Sequence, residues 1–268
     1  VHISLAATLF AAETYFFVCH EIDLFYLGLV FCSTLFVYSI HRIIGISKIK
    51  SQLIDGRYRI ILKYRSHLKI YGGIAFVGLL YFLLSSTLEY LYFLIPLGLV
   101  SVLYALPILF RKKRLRDFHY IKIFLIALVW GGIAVGQILV RDNSIVLLLL
   151  LILFIEKVIY IIAITLPFDV RDLKIDASLT TKTIPQYIGV QSTYRLTYGL
   201  LIIGLISYIT LCYYDNQSAT VPYIMLAYFL SIFIVYISKG KRSDYYYSGL
   251  LDGVIGVRSL IIIMGCLA

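Results

Sequence analysis

The chain has 268 residues, of which 61% are hydrophobic and only 14% are charged. A soluble domain is typically about half apolar and about one quarter charged, so this composition excludes a protein that exposes its whole surface to water. The formal net charge is +10. In a soluble protein such an excess would suggest a nucleic-acid partner, but here its distribution along the chain favours a membrane topology and no nucleic acid.

Nine long apolar segments follow one another along the chain. Each is close to the roughly 20 residues that cross a bilayer as a helix, whereas strands of a membrane barrel are about 10 residues long and alternate in polarity. We therefore predict an all-α, multi-pass transmembrane helical bundle that forms one domain over residues 1–268. The predicted segments are 1–18, 24–46, 67–86, 88–110, 119–140, 144–168, 192–212, 220–238 and 247–268.

The beginning of the chain and its cysteines carry little information on function. The chain opens on Val1 inside an apolar run, so we expect a trimmed or incomplete N-terminus. The first segment has neither a basic start nor a small-residue cleavage site and is predicted to be a membrane helix, not a signal peptide. The scattered cysteines are expected to be packing residues: Cys19, Cys32, Cys212 and Cys266.

Most of the 24 lysines and arginines lie in four breaks between segments, at 42–69, 111–122, 171–195 and 239–242. Positive charge close to helix ends is retained on the cytoplasmic side of a membrane. This pattern predicts a plasma-membrane protein with these loops and its N-terminus in the cytoplasm, and a ninth helix that ends outside.

Five charged residues fall inside predicted helices, where a charge is costly unless it is paired or hydrated. We expect pairing between helices for most of them. Glu156 has an alternative role, lining a tunnel within the bundle, and Asp252 is expected to face the cytoplasmic end. The five residues are Glu13, Glu156, Lys157, Asp252 and Arg258.

An acidic cluster follows the sixth segment and contains Asp169, Asp172 and Asp176. If the helix continues past Pro167, these carboxylates fall on one helical face. Like charges so close together repel one another unless a cation neutralises them. Carboxylate oxygens at this spacing suit Mg²⁺, which commonly binds a few carboxylates together with phosphate oxygens. The alternative is an acidic loop exposed to solvent.

The order of motifs along the chain resembles the UbiA-type intramembrane prenyltransferases. Asp169-x-x-Asp172-x-x-x-Asp176 is similar to the second aspartate-rich motif of that family. The resemblance spans most of the chain, and the ordered combination is more specific than the aspartate spacing. The other matching stretches are Leu103 to Pro107 followed by Arg111 to Arg114, Ala127 to Gly132, and Lys182 to Pro185 followed by Ile188-Gly189.

This resemblance implies a UbiA-like bundle in which an isoprenoid diphosphate binds through Mg²⁺ and places its tail in an apolar tunnel. A lipophilic acceptor then captures the prenyl group. By the same resemblance, Asp169, Asp172 and Asp176 are the catalytic residues and metal ligands. The implied diphosphate contacts are Lys113, Arg114 and Lys182, with Tyr104 as a substrate-binding residue near the head group. Asp252 is predicted to bind substrate for a different reason, because the start of the ninth helix faces the same cytoplasmic site. For the basic residues, simple positive-inside charge is an equal alternative.

The chain departs from the family at the end of the second segment, where a first aspartate motif is expected. The sequence there runs from Tyr38 through His41 and Arg42 to Gly45 without a carboxylate, and the nearest downstream is Asp55. We predict that His41 and Arg42 bind the diphosphate directly, replacing a metal bridge with positive charge. Alternatively, His41 packs at the helix end.

The function predicted from these patterns is a membrane transferase that moves a prenyl group from an isoprenoid diphosphate to a lipophilic acceptor, which includes aromatic acceptors. One alternative is a terpene cyclase on the same scaffold. Another is a degenerate family member that binds but does not react, suggested by the missing first motif. A transporter is weaker, since the prolines show no symmetric pattern of broken helices.

Overall fold

A computed structural model describes residues 1–47, 61–106, 114–141, 147–178, 182–240 and 242–268. In these residues the regular structure is entirely helical. Short 3₁₀ turns lie at Leu115–Asp117 and Ser218–Thr220, and a π-helical turn at Tyr246–Leu251 leads into the last helix. The α-helices are α1 (His2–Cys19), α2 (Leu24–Ser47), α3 (Arg65–Leu84), α4 (Leu88–Ala105), α5 (Ile121–Arg141), α6 (Leu147–Arg171), α7 (Leu173–Ser178), α8 (Ile184–Ile188), α9 (Val190–Tyr214), α10 (Val221–Ile237) and α11 (Asp252–Leu267).

Nine helical stretches in the described part of the chain are long and apolar enough to cross a membrane. They are α1 to α6, α9, α10 with the preceding 3₁₀ turn, and α11 with the preceding π-helical turn. Each coincides with one predicted segment to within a few residues. The prediction of an all-α, multi-pass bundle is therefore confirmed.

The end of α4 differs from the prediction, which placed it at residue 110. The helix ends at Ala105, and Leu106 is extended, with φ −94° and ψ 141°. The sequence reason is Pro107, because a proline ring disfavours the helical conformation of the residue before it. Residues 107–113, which include the predicted diphosphate contact Lys113, lie outside the described residues.

Helix α6, in contrast, continues through Pro167 to Arg171. The prediction that the three aspartates share one face required the helix to continue past Pro167, and it does so as far as Arg171. A one-residue break then separates α6 from α7, across which the backbone N–H of Asp176 donates to the carbonyl oxygen of Asp172 at 2.9 Å. The three aspartates thus lie on two consecutive helical segments and not on one straight helix.

Helix α1 lies at the centre of the bundle and packs against α2, α5 and α11. Helix α6 packs between α5 and α9, α10 packs on α9 and α11, and α3 and α4 lie at the periphery against α2 and α5. Because successive spans run in opposite directions, the starts of α1, α5 and α11 meet the ends of α2, α4 and α6. We call this end of the bundle, where Asp169 lies, the charged end.

Four charged side chains are fully buried in the middle of the bundle. Arg258 of α11 donates to Glu13 of α1 at 2.9 Å and to Glu156 of α6 at 2.6 Å. The Lys157 ammonium lies 2.5 Å from Glu13 and 3.1 Å from Glu156. Two acids and two bases thus neutralise one another and connect three helices. We call these four residues the buried ion network.

Three hydroxyl groups donate further hydrogen bonds to the carboxylates of this network. Tyr208 and Ser259 donate to Glu13 at 2.8 Å and 2.9 Å, and Tyr228 donates to Glu156. The prediction of pairing between helices is confirmed for all four charges. Glu156 belongs to this closed network and does not line the cavity described below, so its alternative role in a tunnel is wrong.

Candidate functional site

A cavity of about 930 Å³ extends from the charged end into the bundle, between helices α1 to α6 and the start of α11. Its lining changes from charged at the mouth to apolar in the interior. Along α5 the lining runs from Lys122 to Ile133, which corresponds to a depth of about 16 Å at 1.5 Å per residue. That is about half of the hydrocarbon thickness of a bilayer.

Aromatic and aliphatic side chains form the inner part of this cavity. The rings of Phe10 and Trp130 meet edge to face there, with centroids 6.0 Å apart. On the α4 side, the lining residues Ile95 and Leu99 are 61% and 57% exposed, so the cavity is not closed against α4. An apolar chain could lie in the interior and a lipophilic molecule could approach from this side.

Two of the predicted aspartates meet at a lysine on the acidic wall of the cavity mouth. The Lys122 ammonium lies 2.7 Å from Asp169 and 3.1 Å from Asp176. All three residues line the cavity and are buried, with Lys122 only 8% exposed. The sequence argument that a cation must neutralise these carboxylates was correct, and in the described structure that cation is a side chain.

The third aspartate is oriented differently. Asp172 accepts two hydrogen bonds from the Arg171 guanidinium, at 2.8 Å and 3.0 Å. Arg171 in turn lies over the rings of Phe168 and Tyr247, at 5.1 Å and 4.8 Å from their centroids. Each of the three carboxylates therefore already has a cationic partner from the protein.

Opposite this wall, the end of α2 contributes cations to the cavity. Arg42 donates a hydrogen bond to the Tyr38 hydroxyl and lies 4.8 Å from the centre of its ring. Arg116, on the 3₁₀ turn before α5, lies with Nη1 2.5 Å from Nε2 of His41 and with its guanidinium 5.5 Å from the Tyr104 ring. All five residues line the cavity.

These contacts decide how well the predicted Mg²⁺ site fits. A divalent cation bound by Asp169 and Asp176 needs the space between them, where the Lys122 ammonium is. No group of three or more His, Cys, Asp or Glu residues is close enough to hold a metal, within the described residues. As arranged here, the aspartates do not fit a metal ion, and their role as Mg²⁺ ligands stays a prediction.

The other predicted site residues divide into two groups. Arg114, Tyr104 and Asp252 line the cavity together with the residues above. Lys182 does not, because its side chain is exposed on the loop before α8. Its backbone is tied to the loop before α5, where its N–H donates to His119 Nδ1 at 3.0 Å and its carbonyl accepts from Tyr120 at 3.0 Å.

Sequence reasoning missed Lys122, Arg116 and Arg171 as site residues. All three had been counted only as positive-inside charge. A signal for Lys122 was present, since it starts an apolar run that has no further charge until Arg141. A single cation at the start of a membrane helix, at the end where the carboxylates also lie, is a candidate partner for them.

No known family model and no curated protein sequence matches this chain. Solved structures do match it over nearly its whole length. An apo structure of a UbiA homolog from Aeropyrum pernix K1 has a TM-score of 0.70 at 10% identity, covering 98% of this chain and 96% of that one. A structure of digeranylgeranylglyceryl phosphate synthase has a TM-score of 0.59 at 18% identity, covering 99% and 97%. At such low identity these likenesses establish the fold.

Proposed function

We propose that this chain, which has the UbiA-type fold, transfers a prenyl group from an isoprenoid diphosphate to a lipophilic acceptor. The resemblance found in the sequence motifs is confirmed at the level of the fold. The observation that carries the proposal is the cavity, with cations at its mouth and an apolar interior of about 930 Å³. A diphosphate with an apolar tail has the same division of polarity.

The chemistry that this cavity would support is heterolysis of the allylic C–O bond. The bonding electrons leave with the diphosphate, and the cations at the mouth stabilise the negative charge that develops there. The allylic carbon then forms a bond to a nucleophilic atom of the acceptor, such as an aromatic carbon or a hydroxyl oxygen, and the acceptor loses a proton. The products are a prenylated acceptor, diphosphate and a proton.

The surroundings of the cavity support the same proposal. The side formed by α4 is open near Ile95 and Leu99, which would give an acceptor dissolved in lipid access to the reacting carbon. We propose that the charged end faces the cytoplasm, where the basic loops are expected under the positive-inside rule, and that the membrane is the plasma membrane. The proposal does not require Mg²⁺, and the experiments below compare conditions with and without this ion.

The direct test measures diphosphate release and prenylated products from farnesyl and geranylgeranyl diphosphate by purified protein in lipid nanodiscs. Candidate aromatic and lipid acceptors are supplied in turn, and spontaneous solvolysis without protein is subtracted. Acceptor-dependent release supports the transferase. A hydrocarbon or terpene alcohol formed without acceptor favours the cyclase, and no release under any condition favours a binding protein without catalysis.

Filling the cavity provides a test that depends on its shape. Gly98 of α4 lines the cavity, and a Cβ added there would have no atom within 4 Å. Gly98→Phe should therefore fold normally but occupy the space of the prenyl tail. We expect the catalytic efficiency kcat/KM to fall by about 10- to 100-fold, because a displaced prenyl tail moves the reacting carbon away from its productive position. The loss should be larger for longer tails.

The matched control for this substitution is Gly199→Phe. Gly199 also has open space around its Cβ, but it lies on α9 and does not line the cavity. It should leave both activity and thermal stability unchanged. Equal activity of the Gly98 and Gly199 variants with every tail length would show that the cavity does not hold the prenyl chain.

A further inference from the structure

We propose that side-chain cations hold the diphosphate in this cavity without a divalent metal, with Lys122 in the place of the ion and Arg42 and Arg116 on the opposite wall. The identification of the ligand as a diphosphate rests on the function proposed above. The mode of binding rests on the charges and distances of the cavity mouth. Binding of diphosphate without a divalent metal can be measured separately from catalysis.

The first observation is the position of Lys122. Its ammonium lies within hydrogen-bonding distance of both Asp169 and Asp176, so one positive charge already connects the two carboxylates that would share a metal. The side chain is buried, and an ammonium has three donors. Two of these donors are used by the aspartates, and the third is available to an oxygen atom within the cavity that Lys122 lines.

The second observation concerns the opposite wall. The helix end from Tyr38 to Gly45 has no carboxylate, so a metal bound by Asp169 and Asp176 would find no carboxylate ligand at the end of α2. Arg42 contacts Tyr38, and Arg116 contacts His41 and Tyr104. Among the described residues, neither arginine forms an ion pair with a carboxylate. Asp252 of α11 lines the same cavity and lies within electrostatic range of Arg42, so the charge of Arg42 is partly balanced at a distance but is not engaged in a direct ion pair with any described residue.

The third observation is the match between these groups and a diphosphate. A guanidinium presents its N–H groups in a planar fork that matches phosphate oxygens, and it stays charged at every physiological pH. In metal-dependent binding, the ion supplies the positive charge that a diphosphate requires. Here Arg42, Arg116 and Lys122 line the same cavity mouth from two sides, and together they would supply that charge directly.

The test measures binding of inorganic diphosphate to the full chain in nanodiscs by isothermal titration calorimetry. One titration is made in excess EDTA and another in excess Mg²⁺. We expect binding in EDTA to be at least as tight as in Mg²⁺, because free Mg²⁺ competes with the protein cations for the diphosphate oxygens. Binding that is detected only in Mg²⁺ would overturn the proposal, and this comparison does not depend on any variant.

A substitution of Lys122 makes the test specific. Lys122→Met should weaken binding in EDTA by about 10- to 100-fold, the loss expected for one charged hydrogen-bonding partner. It also leaves Asp169 and Asp176 without their cation, so Mg²⁺ should now restore binding. Lys122→Arg, which keeps the charge, should retain binding in EDTA. Lys174→Met, at an exposed lysine of α7 that does not line the cavity, is the control.

The outcomes separate this inference from the proposed function. If Lys122→Met binds diphosphate in EDTA as tightly as the unmodified chain, Lys122 serves only the ion pairs and the inference fails. Turnover of geranylgeranyl diphosphate that requires Mg²⁺ also refutes the inference but leaves the transferase in place. Binding in EDTA without turnover of any isoprenoid diphosphate refutes the transferase and leaves a metal-free anion site.

Discussion

Replacing Arg258 with methionine is expected to lower the free energy of unfolding by about 3–5 kcal/mol, the cost typical of removing one partner from a buried ion pair. Arg258 is fully buried and donates to both Glu13 and Glu156. Without it, two carboxylates share the single charge of Lys157 in a part of the bundle that excludes water and lipid headgroups.

The guanidinium also packs against aromatic rings. It lies 4.2 Å from the ring centre of Tyr160 and 5.0 Å from that of Tyr228, so the substitution removes cation–π contacts together with the ion pairs. Because the network joins α1, α6 and α11 through charged groups, its loss should loosen all three helices. We expect a single, earlier unfolding transition of the whole bundle.

Unfolding in mixed micelles of mild detergent and sodium dodecyl sulfate, followed by tyrosine fluorescence, provides the measurement. The control is Val257→Met on the adjacent, exposed face of α11, which should change stability little. The double variant Arg258→Met with Glu13→Gln restores the balance of charge and should recover part of the loss. If Arg258→Met is as stable as the control, the buried ion network does not stabilise the fold.

Replacing Arg116 with glutamine is expected to reduce prenyl transfer by about 10²- to 10³-fold, the size of effect seen when one group that stabilises developing negative charge is lost. Glutamine keeps a hydrogen-bond donor but loses the positive charge. The loss should be mainly in kcat, because the charge on the departing diphosphate is greater in the transition state than in the bound substrate.

Arg42→Gln provides a second measurement at the same wall. If both arginines contact one diphosphate, the double variant should lose less activity than the product of the two single losses, as is usual for residues that act as a unit. Arg195→Gln, at an exposed arginine of α9 outside the cavity, is the control. Arg116→Gln activity equal to that of this control would exclude Arg116 from the reaction.

Features that depend on one stretch of the chain were predictable from the sequence, whereas features that depend on packing between helices were not. The nine spans and their approximate ends follow from local properties. The length of an apolar segment and the turn residues that flank it can both be read from the neighbouring sequence. The continuation of α6 past Pro167 and the early end of α4 before Pro107 show the limit of such reasoning. Both are prolines in apolar surroundings, and only the structure separates the two outcomes.

The sequence located most residues of the candidate site but did not show which cation pairs with which carboxylate. The motif resemblance located Asp169, Asp172 and Asp176, and the missing carboxylates at the end of α2 already pointed to His41 and Arg42. A sequence does not show which cation meets which carboxylate, because that depends on how helices distant in the chain are rotated and packed. Lys122 and Asp176 are 54 residues apart, and Arg258 and Glu13 are 245 apart.

Composition and the order of residues along the chain were enough to predict that this protein crosses a membrane many times as helices and that its charges gather at one end. The pairing of Lys122 with the aspartates and the joining of the interior charges into one network became visible only in the packed bundle. The cavity, with its charged mouth and apolar interior, is likewise seen only once the helices are packed. The physical reason is that ion pairs and cavities form between surfaces of different helices, whereas the solvent of each helix is set by its own residues.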